Sequence, residues 1–229
     1  MEYPHNRPYT ADDLVRIITL LRDPVNGCPW DKVQTHTSIR MNFLEEAYEA
    51  VDAFDLDDPV LMCEELGDVL MQVAFHTCME QETGRFTWEQ VCDGVCQKLI
   101  ERHPNIFGTQ PGYEGITDWD ALKNKEKGRR TLADDLESVP RAMPALMRAA
   151  KLQKRAARHG AALQGADAAA LADAAENLQT AQPASAQAEQ AVGELLFAAA
   201  NLARQAGVDP EQALQKANEA FCTATGPVA

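Results

Sequence analysis

Residues 42–51 read NFLEEAYEAV and residues 64–71 read EELGDVLM, and both stretches set acidic residues into the apolar spacing of α-helices. Each stretch holds two carboxylates three residues apart, so both project from one face of a helix. They are Glu46 and Glu49 in the first stretch, and Glu65 and Asp68 in the second. The connection DLDDP at 55–59 is short enough to make the two helices antiparallel neighbours. The sequence therefore predicts four carboxylates that converge between two packed helices.

The converging carboxylates indicate a metal site. Anions gathered beside an apolar helix interface repel one another, and a fold tolerates this only with compensating cations. Oxygen ligands without histidine favour Mg²⁺ or Mn²⁺ over zinc or iron. A di-iron bundle would need a Glu-x-x-His motif on each of two helices, and neither carboxylate pair ends in histidine. The alternative is a solvated acidic face, which we expect for Glu45, Asp52, Asp55 and Glu64.

The composition disfavours several classes of binding partner. The chain has 229 residues, 45% of them hydrophobic, and a formal net charge of −14. This charge disfavours nucleic acid and anionic membrane surfaces, because no broad basic face is available to bind them. No apolar run approaches the length of a membrane span, and we expect no signal peptide. These features predict a cytoplasmic protein.

The cysteines support a reducing compartment. None of them forms a C-x-x-C pair, and most lie in helical patterns, where a free cysteine behaves as a small apolar residue. We therefore interpret them as core residues rather than metal ligands. The six are Cys28, Cys63, Cys78, Cys92, Cys96 and Cys222.

Helix signals run along the whole chain, whereas strand signals are nearly absent. The segment 11–22 has an apolar stripe at i, i+3, i+4 and i+7. Asp58 is a predicted N-cap with Pro59 at the first helical position, and Thr87 is predicted to cap a later helix. The chain is therefore predicted to be all-α. The other predicted helical segments are 38–54, 59–79, 88–103, 141–160, 166–182, 186–206 and 210–224.

A weak internal repeat relates the two halves of the chain. LGDVLMQVAFH at 66–76 resembles VGELLFAAANL at 192–202, and a glycine turn and a capped helix follow both. Chance likeness between two amphipathic helices is the alternative, but the shared order of features favours duplication. We predict a first lobe at 1–108, a linker with a short basic helix at 109–139, and a second lobe at 140–229.

The acidic motif belongs to a wider resemblance. EEAYE at 45–49 and ELGD at 65–68 match the E-E-x-x-E … E-x-x-D pattern of the all-α nucleoside triphosphate pyrophosphohydrolases. Further stretches in both lobes resemble the MazG branch of that superfamily and its two-domain members. They are LRDPVNGCPWDKVQTHTSI (21–39), QETGRF (81–86), ERHPNIFG (101–108), MRAAKLQKRAARHG (147–160) and NLARQAGVDPEQALQKAN (201–218).

The resemblance implies hydrolysis of a nucleoside triphosphate to the monophosphate and pyrophosphate by a homodimer. Metal ions in such a site bridge the phosphates and activate a water for in-line displacement. Glu45 becomes a candidate general base, or a group that orients that water. The alternatives are a helical nucleotide-binding or regulatory module without turnover, and an acidic scaffold that binds no nucleotide. The Mg²⁺ ligands that the resemblance implies are Glu46, Glu49, Glu65 and Asp68.

Four residues are candidates for contact with the substrate. Trp30 lies in a Cys-Pro-Trp-Asp loop before the first acidic helix and would stack on a base, unless it only pins the loop. Lys32, in the same loop, would meet a phosphate. Lys123 and Lys125 belong to a basic patch that would steer the triphosphate, unless they lie on a solvated linker helix.

The second lobe is predicted to lack a complete metal motif. Aligning Gly193 with Gly67 puts Glu194 at the position of the motif aspartate. One surviving acid cannot hold a magnesium–triphosphate complex, so we expect a catalytically inactive duplicate that supports assembly. The other positions of the motif hold Ala174, Asn177 and Ala191, with Asp173 and Glu176 as possible remnants.

Overall fold

The computed structural model describes residues 3–5, 7–108, 122, 124 and 126–226. These residues form α-helices and no β-strand, which confirms the all-α prediction. The chain divides into two compact units, Met1–Ile116 and Thr117–Ala229. Among the described helices, none is long and apolar enough to cross a lipid bilayer.

Local capping residues set the helix boundaries of the first unit. Thr35 accepts a hydrogen bond from the Ser38 amide, so helix α2 begins two residues before the predicted start. Asp58 accepts from the amides of Val60 and Leu61, and Thr87 caps the last helix, as predicted. The helices are α1 (Ala11–Leu21), α2 (His36–Asp55), α3 (Pro59–Glu82) and α4 (Trp88–Arg102), with a 3₁₀ turn at Asp31–Val33.

The two halves of helix α3 differ in how deeply their residues are buried. All of its buried residues lie between Gln72 and Glu80. This second half supplies the centre of the apolar core, against which α1 and α4 pack. The first half, residues 59–71, contains no fully buried residue and packs along α2. The core therefore holds one end of α3 rigidly and leaves the other end for the acidic residues.

The interpretation of the cysteines as core residues is wrong for half of them. Cys78 is buried in the core of the first unit, while Cys63, Cys96 and Cys222 are exposed. A helical pattern alone does not decide which face of a helix a small residue occupies, and these three lie on solvent-facing sides.

Among the described residues from 132 onward, the second unit contains five helices and a buried charge network. Helix α6 begins after Pro144, later than predicted, because proline interrupts the helix at 140 and 144. Asp135 on α5 is 1% exposed and lies 3.0 Å from Arg155 on α6. The helices are α5 (Leu132–Glu137), α6 (Ala145–Arg158), α7 (Ala168–Thr180), α8 (Ala186–Gln205) and α9 (Pro210–Thr225).

Two residues shape the loop at 23–34 that carries Trp30 and Lys32. Gly27 is required, because a Cβ atom there would lie 2.4 Å from the carbonyl oxygens of residues 21 and 23. Arg22, which is 8% exposed, donates from Nη1 to the carbonyls of Asp31 (2.7 Å) and Gln34 (3.2 Å).

The same guanidinium ties this loop to α3. Arg22 donates from Nε and Nη2 to the two carboxylate oxygens of Glu82, at 2.5 and 2.8 Å. It also lies 5.3 Å from the centre of the Phe75 ring, within range of a cation–π interaction. One buried cation therefore fixes the loop on the rigid half of α3.

We predict that Arg22→Met lowers the free energy of unfolding by about 2 kcal/mol. Breaking a buried ion pair costs about 3–5 kcal/mol, but Glu82 is partly exposed and water can solvate its freed carboxylate. Urea denaturation measures the loss. Arg16→Met, at an exposed position of α1, is the control and should change stability by less than about 0.5 kcal/mol. Equal free energies of unfolding for the two variants would contradict a stabilising role for the Arg22 contacts.

Candidate metal centre

Helices α2 and α3 bring three of the four predicted carboxylates together. Glu46 and Glu49 lie one turn apart on α2, and Glu65 lies on the first half of α3. One carboxylate oxygen from each of the three lies within 4.8 Å of the others. Glu46 and Glu65 are half-buried and Glu49 is exposed, so the cluster is open to solvent on one side.

Asp68 lies outside this group of three, but its negative charge affects the carboxylates in the group. Burial, followed by the charge of Asp68, raises the pKa of Glu46 above its ordinary value. Burial, followed by the charge of Glu49, raises the pKa of Glu65. The carboxylates therefore repel one another in the folded protein. A hard divalent cation fits this set of oxygen donors and would relieve the repulsion.

Gln72 is a site residue that the sequence analysis missed. Its side chain is buried, and Nε2 donates to Oε1 of Glu46 at 3.4 Å. The spacing contains a usable signal, because Gln72 stands one turn after Asp68 and two turns after Glu65 on one face of α3.

The predicted catalytic and substrate residues that the structure describes differ in exposure and in their contacts. Glu45 is exposed on α2 next to Glu46. Trp30 is 57% exposed and meets the Phe75 ring edge-on, with 6.4 Å between ring centres. Lys32 donates from Nζ to the carbonyl of Pro24 at 3.5 Å. Lys123 and Lys125 lie outside the described residues.

A histidine pair fastens the start of α2 to the second half of α3. The rings of His36 and His76 stack with 5.0 Å between their centres, and their Nδ1 atoms lie 2.7 Å apart. His36 also bonds through Nε2 to the buried carboxylate of Glu80. Burial, followed by the charge of His36, lowers the pKa of His76. The pair helps to hold the two acidic helices in register.

In the second unit, α7 packs along α8 as α2 packs along α3. Ala174 and Ala191, aligned with Glu46 and Glu65, are 1% and 2% exposed. Ala174 also lines a cavity of about 710 Å³, together with Asp173, Asn177 and Glu194. In this unit small apolar side chains therefore fill the helix interface where the first unit has carboxylates.

Comparison with known proteins identifies the family. The model of the MazG nucleotide pyrophosphohydrolase domain matches residues 34–107, which include the whole α2–α3 pair. The chain is 41% identical over 219 residues to a nucleoside triphosphate pyrophosphohydrolase of Escherichia coli K12, covering 92% of this chain and 83% of that protein.

Two further relatives agree with this result. A nucleoside triphosphate pyrophosphohydrolase/pyrophosphatase MazG of Thermotoga maritima is 39% identical over 212 residues, which cover 92% of this chain and 82% of that protein. A nucleoside triphosphate pyrophosphohydrolase of Mycobacterium tuberculosis is 34% identical over 154 residues, covering 66% and 46% of the two chains. The chain described here belongs to the MazG family of nucleotide pyrophosphohydrolases.

Proposed function

We propose that this protein hydrolyses nucleoside triphosphates to nucleoside monophosphates and pyrophosphate, with Mg²⁺ or Mn²⁺ as cofactor. The observation that carries the proposal is the cluster of Glu46, Glu49 and Glu65, whose carboxylate oxygens lie within 4.8 Å of one another. This cluster falls inside the region that the family model matches. The names of the relatives above support the choice of substrate.

Electrostatics makes a divalent cation necessary for this reaction. A triphosphate carries about four negative charges near neutral pH, and the chain has a formal net charge of −14. Like charges of this size repel unless a cation lies between them. The carboxylates would hold such a cation, which supplies charge neutralisation for the phosphates when bound.

The side chains of the first unit take distinct roles in the proposed mechanism. The proposed metal ligands are Glu46, Glu49, Glu65 and Asp68. Glu45 is the candidate general base, because it is exposed, precedes Glu46 in the sequence and can accept a proton from a solvent water. Trp30 would stack on the base through its exposed ring face, and Lys32 would leave the Pro24 carbonyl to meet a phosphate. Lys123 and Lys125 remain candidates for steering the substrate.

We assign turnover to the first unit and treat the second as an inactive duplicate that supports assembly. The buried alanines at positions 174 and 191 support this assignment, because they remove charge from the helix pair while keeping helix propensity. Asp173 and Glu194 still line a cavity there, but two exposed acids offer too few oxygens for a magnesium–triphosphate complex.

We predict that Glu49→Ala or Asp68→Ala lowers kcat about a thousandfold, as expected for the loss of roughly 4 kcal/mol of metal-assisted stabilisation. The metal-free unfolding temperature should stay the same or rise, since each substitution removes repulsion. Release of pyrophosphate from a panel of triphosphates, with and without Mg²⁺, measures the activity. This assay also separates an enzyme from a module that binds nucleotide without turnover.

The matched control is Asp173→Ala combined with Glu194→Ala, which removes the two cavity carboxylates of the second unit. This variant should retain activity within about twofold of the unmodified protein. A loss as large as that of Glu49→Ala would place the chemistry in the second unit, and full activity of Glu49→Ala would refute the metal site.

We further propose that the functional unit is a homodimer in the cytoplasm. Large apolar side chains remain 39–52% exposed on the stretches of α2 and α3 that carry or adjoin the carboxylates, and a second copy would cover them. Two helices also leave one side of a bound triphosphate uncovered. The exposed side chains are Tyr48, Val51, Phe54, Leu66 and Leu70.

Light scattering should give a mass twice that of the 229-residue chain. The combined substitution Val51→Glu/Phe54→Glu should yield a monomer with little activity, because it places charges in an apolar contact. Val25→Glu changes an apolar loop residue that is 80% exposed and should leave the dimer intact. A fully active monomer at assay concentration would contradict the proposal.

A further inference from the structure

Gln72 is more deeply buried than its hydrogen bonding justifies. The residue is 7% exposed, and its only side-chain hydrogen bond to another described residue runs from Nε2 to Glu46. Its Oε1 atom is buried without a hydrogen-bond partner among the described residues. A buried amide oxygen without a partner lowers stability, so an apolar side chain would serve the fold at least as well. The amide therefore needs an explanation outside packing.

The second unit provides a natural comparison for this position. The alignment of Gly67 with Gly193 places Ala198 opposite Gln72, and Ala198 is fully buried on α8. Glu46 is replaced by Ala174 in the same comparison, so both partners of the hydrogen bond have become alanine together. Since α7 still packs along α8, a packed helix pair of this type does not require the amide.

We propose that Gln72 is a positioning residue that holds the Glu46 carboxylate in the orientation needed for metal binding. The N–H donor engages Oε1 of Glu46 and restricts rotation of a side chain that is otherwise half exposed. Hydrogen bonds to ligating carboxylates typically improve metal affinity by fixing the ligand before the ion arrives. This inference rests on the proposed metal site.

The test is Gln72→Met, which keeps the length of the side chain and removes the donor. Isothermal titration calorimetry of the variant with Mn²⁺ alone, at fixed pH, should give a dissociation constant for Mn²⁺ about tenfold higher than that of the unmodified protein. The metal-free unfolding temperature should stay the same or rise, because the unpartnered oxygen is lost. A purely structural glutamine would give the reverse pattern, with lower stability and unchanged Mn²⁺ affinity.

Two further variants make the result specific. Thr77→Val removes another buried polar group of α3, the Thr77 hydroxyl, which donates to the Val73 carbonyl of the same helix. This control substitution should leave the Mn²⁺ affinity unchanged. Gln72→Ala copies the residue found in the second unit and repeats the test if the methionine variant does not fold. In Glu46→Gln protein, adding Gln72→Met should weaken Mn²⁺ binding much less than tenfold, because the two residues act as a pair.

Mn²⁺ affinity within twofold of the unmodified value in both Gln72 variants overturns the inference and leaves the metal site standing. Absence of Mn²⁺ binding by the unmodified protein overturns the metal site itself, and this inference with it.

Discussion

Mutual repulsion among carboxylates on two packed helices is the constraint on which this structure depends. Glu46, Glu49 and Glu65 approach within 4.8 Å of one another, and the pKa values of Glu46 and Glu65 are raised, first by burial and then by neighbouring acids. Such an arrangement lowers stability unless a cation is bound. The protein therefore needs other contacts to keep α2 and α3 together when the metal is absent.

The second half of α3 supplies those contacts. It carries most of the apolar core of the first unit. Its Glu82 accepts hydrogen bonds from Arg22, and its His76 contacts His36 at the start of α2. The acidic half of α3 extends from this anchored end, so the carboxylates stay close although they repel. The second unit has a packed helix pair with buried alanines at two of the four aligned positions, so fewer carboxylates face one another there. Stability and charge are thus distributed differently in the two units.

Much of this organisation could be predicted from sequence, because it depends on local signals. Residue type and position predict the caps at Asp58 and Thr87. The three-residue spacing of the carboxylates and the short connection at 55–59 predict that the acidic helices approach each other. The spacing places Gln72 on the acidic face of α3, but the partners in the contacts of Arg22 with Glu82 and of Gln72 with Glu46 could not be predicted, since they join residues 60 and 26 positions apart. Such contacts depend on how helices rotate against one another, which the spacing along one helix does not specify.

Thermal unfolding of the metal-free protein between pH 4.5 and 8, compared with that of the Glu46→Gln/Glu65→Gln variant, measures the carboxylate repulsion most directly. A carboxylate whose pKa is raised on folding stabilises the fold below its ordinary value of 4.5 and loses that contribution as the pH rises through the raised pKa. The unmodified protein should therefore lose stability relative to the variant as the pH rises, and Mg²⁺ at pH 8 should restore it only in the unmodified protein. Parallel curves for the two proteins, with no response to Mg²⁺, would contradict the account.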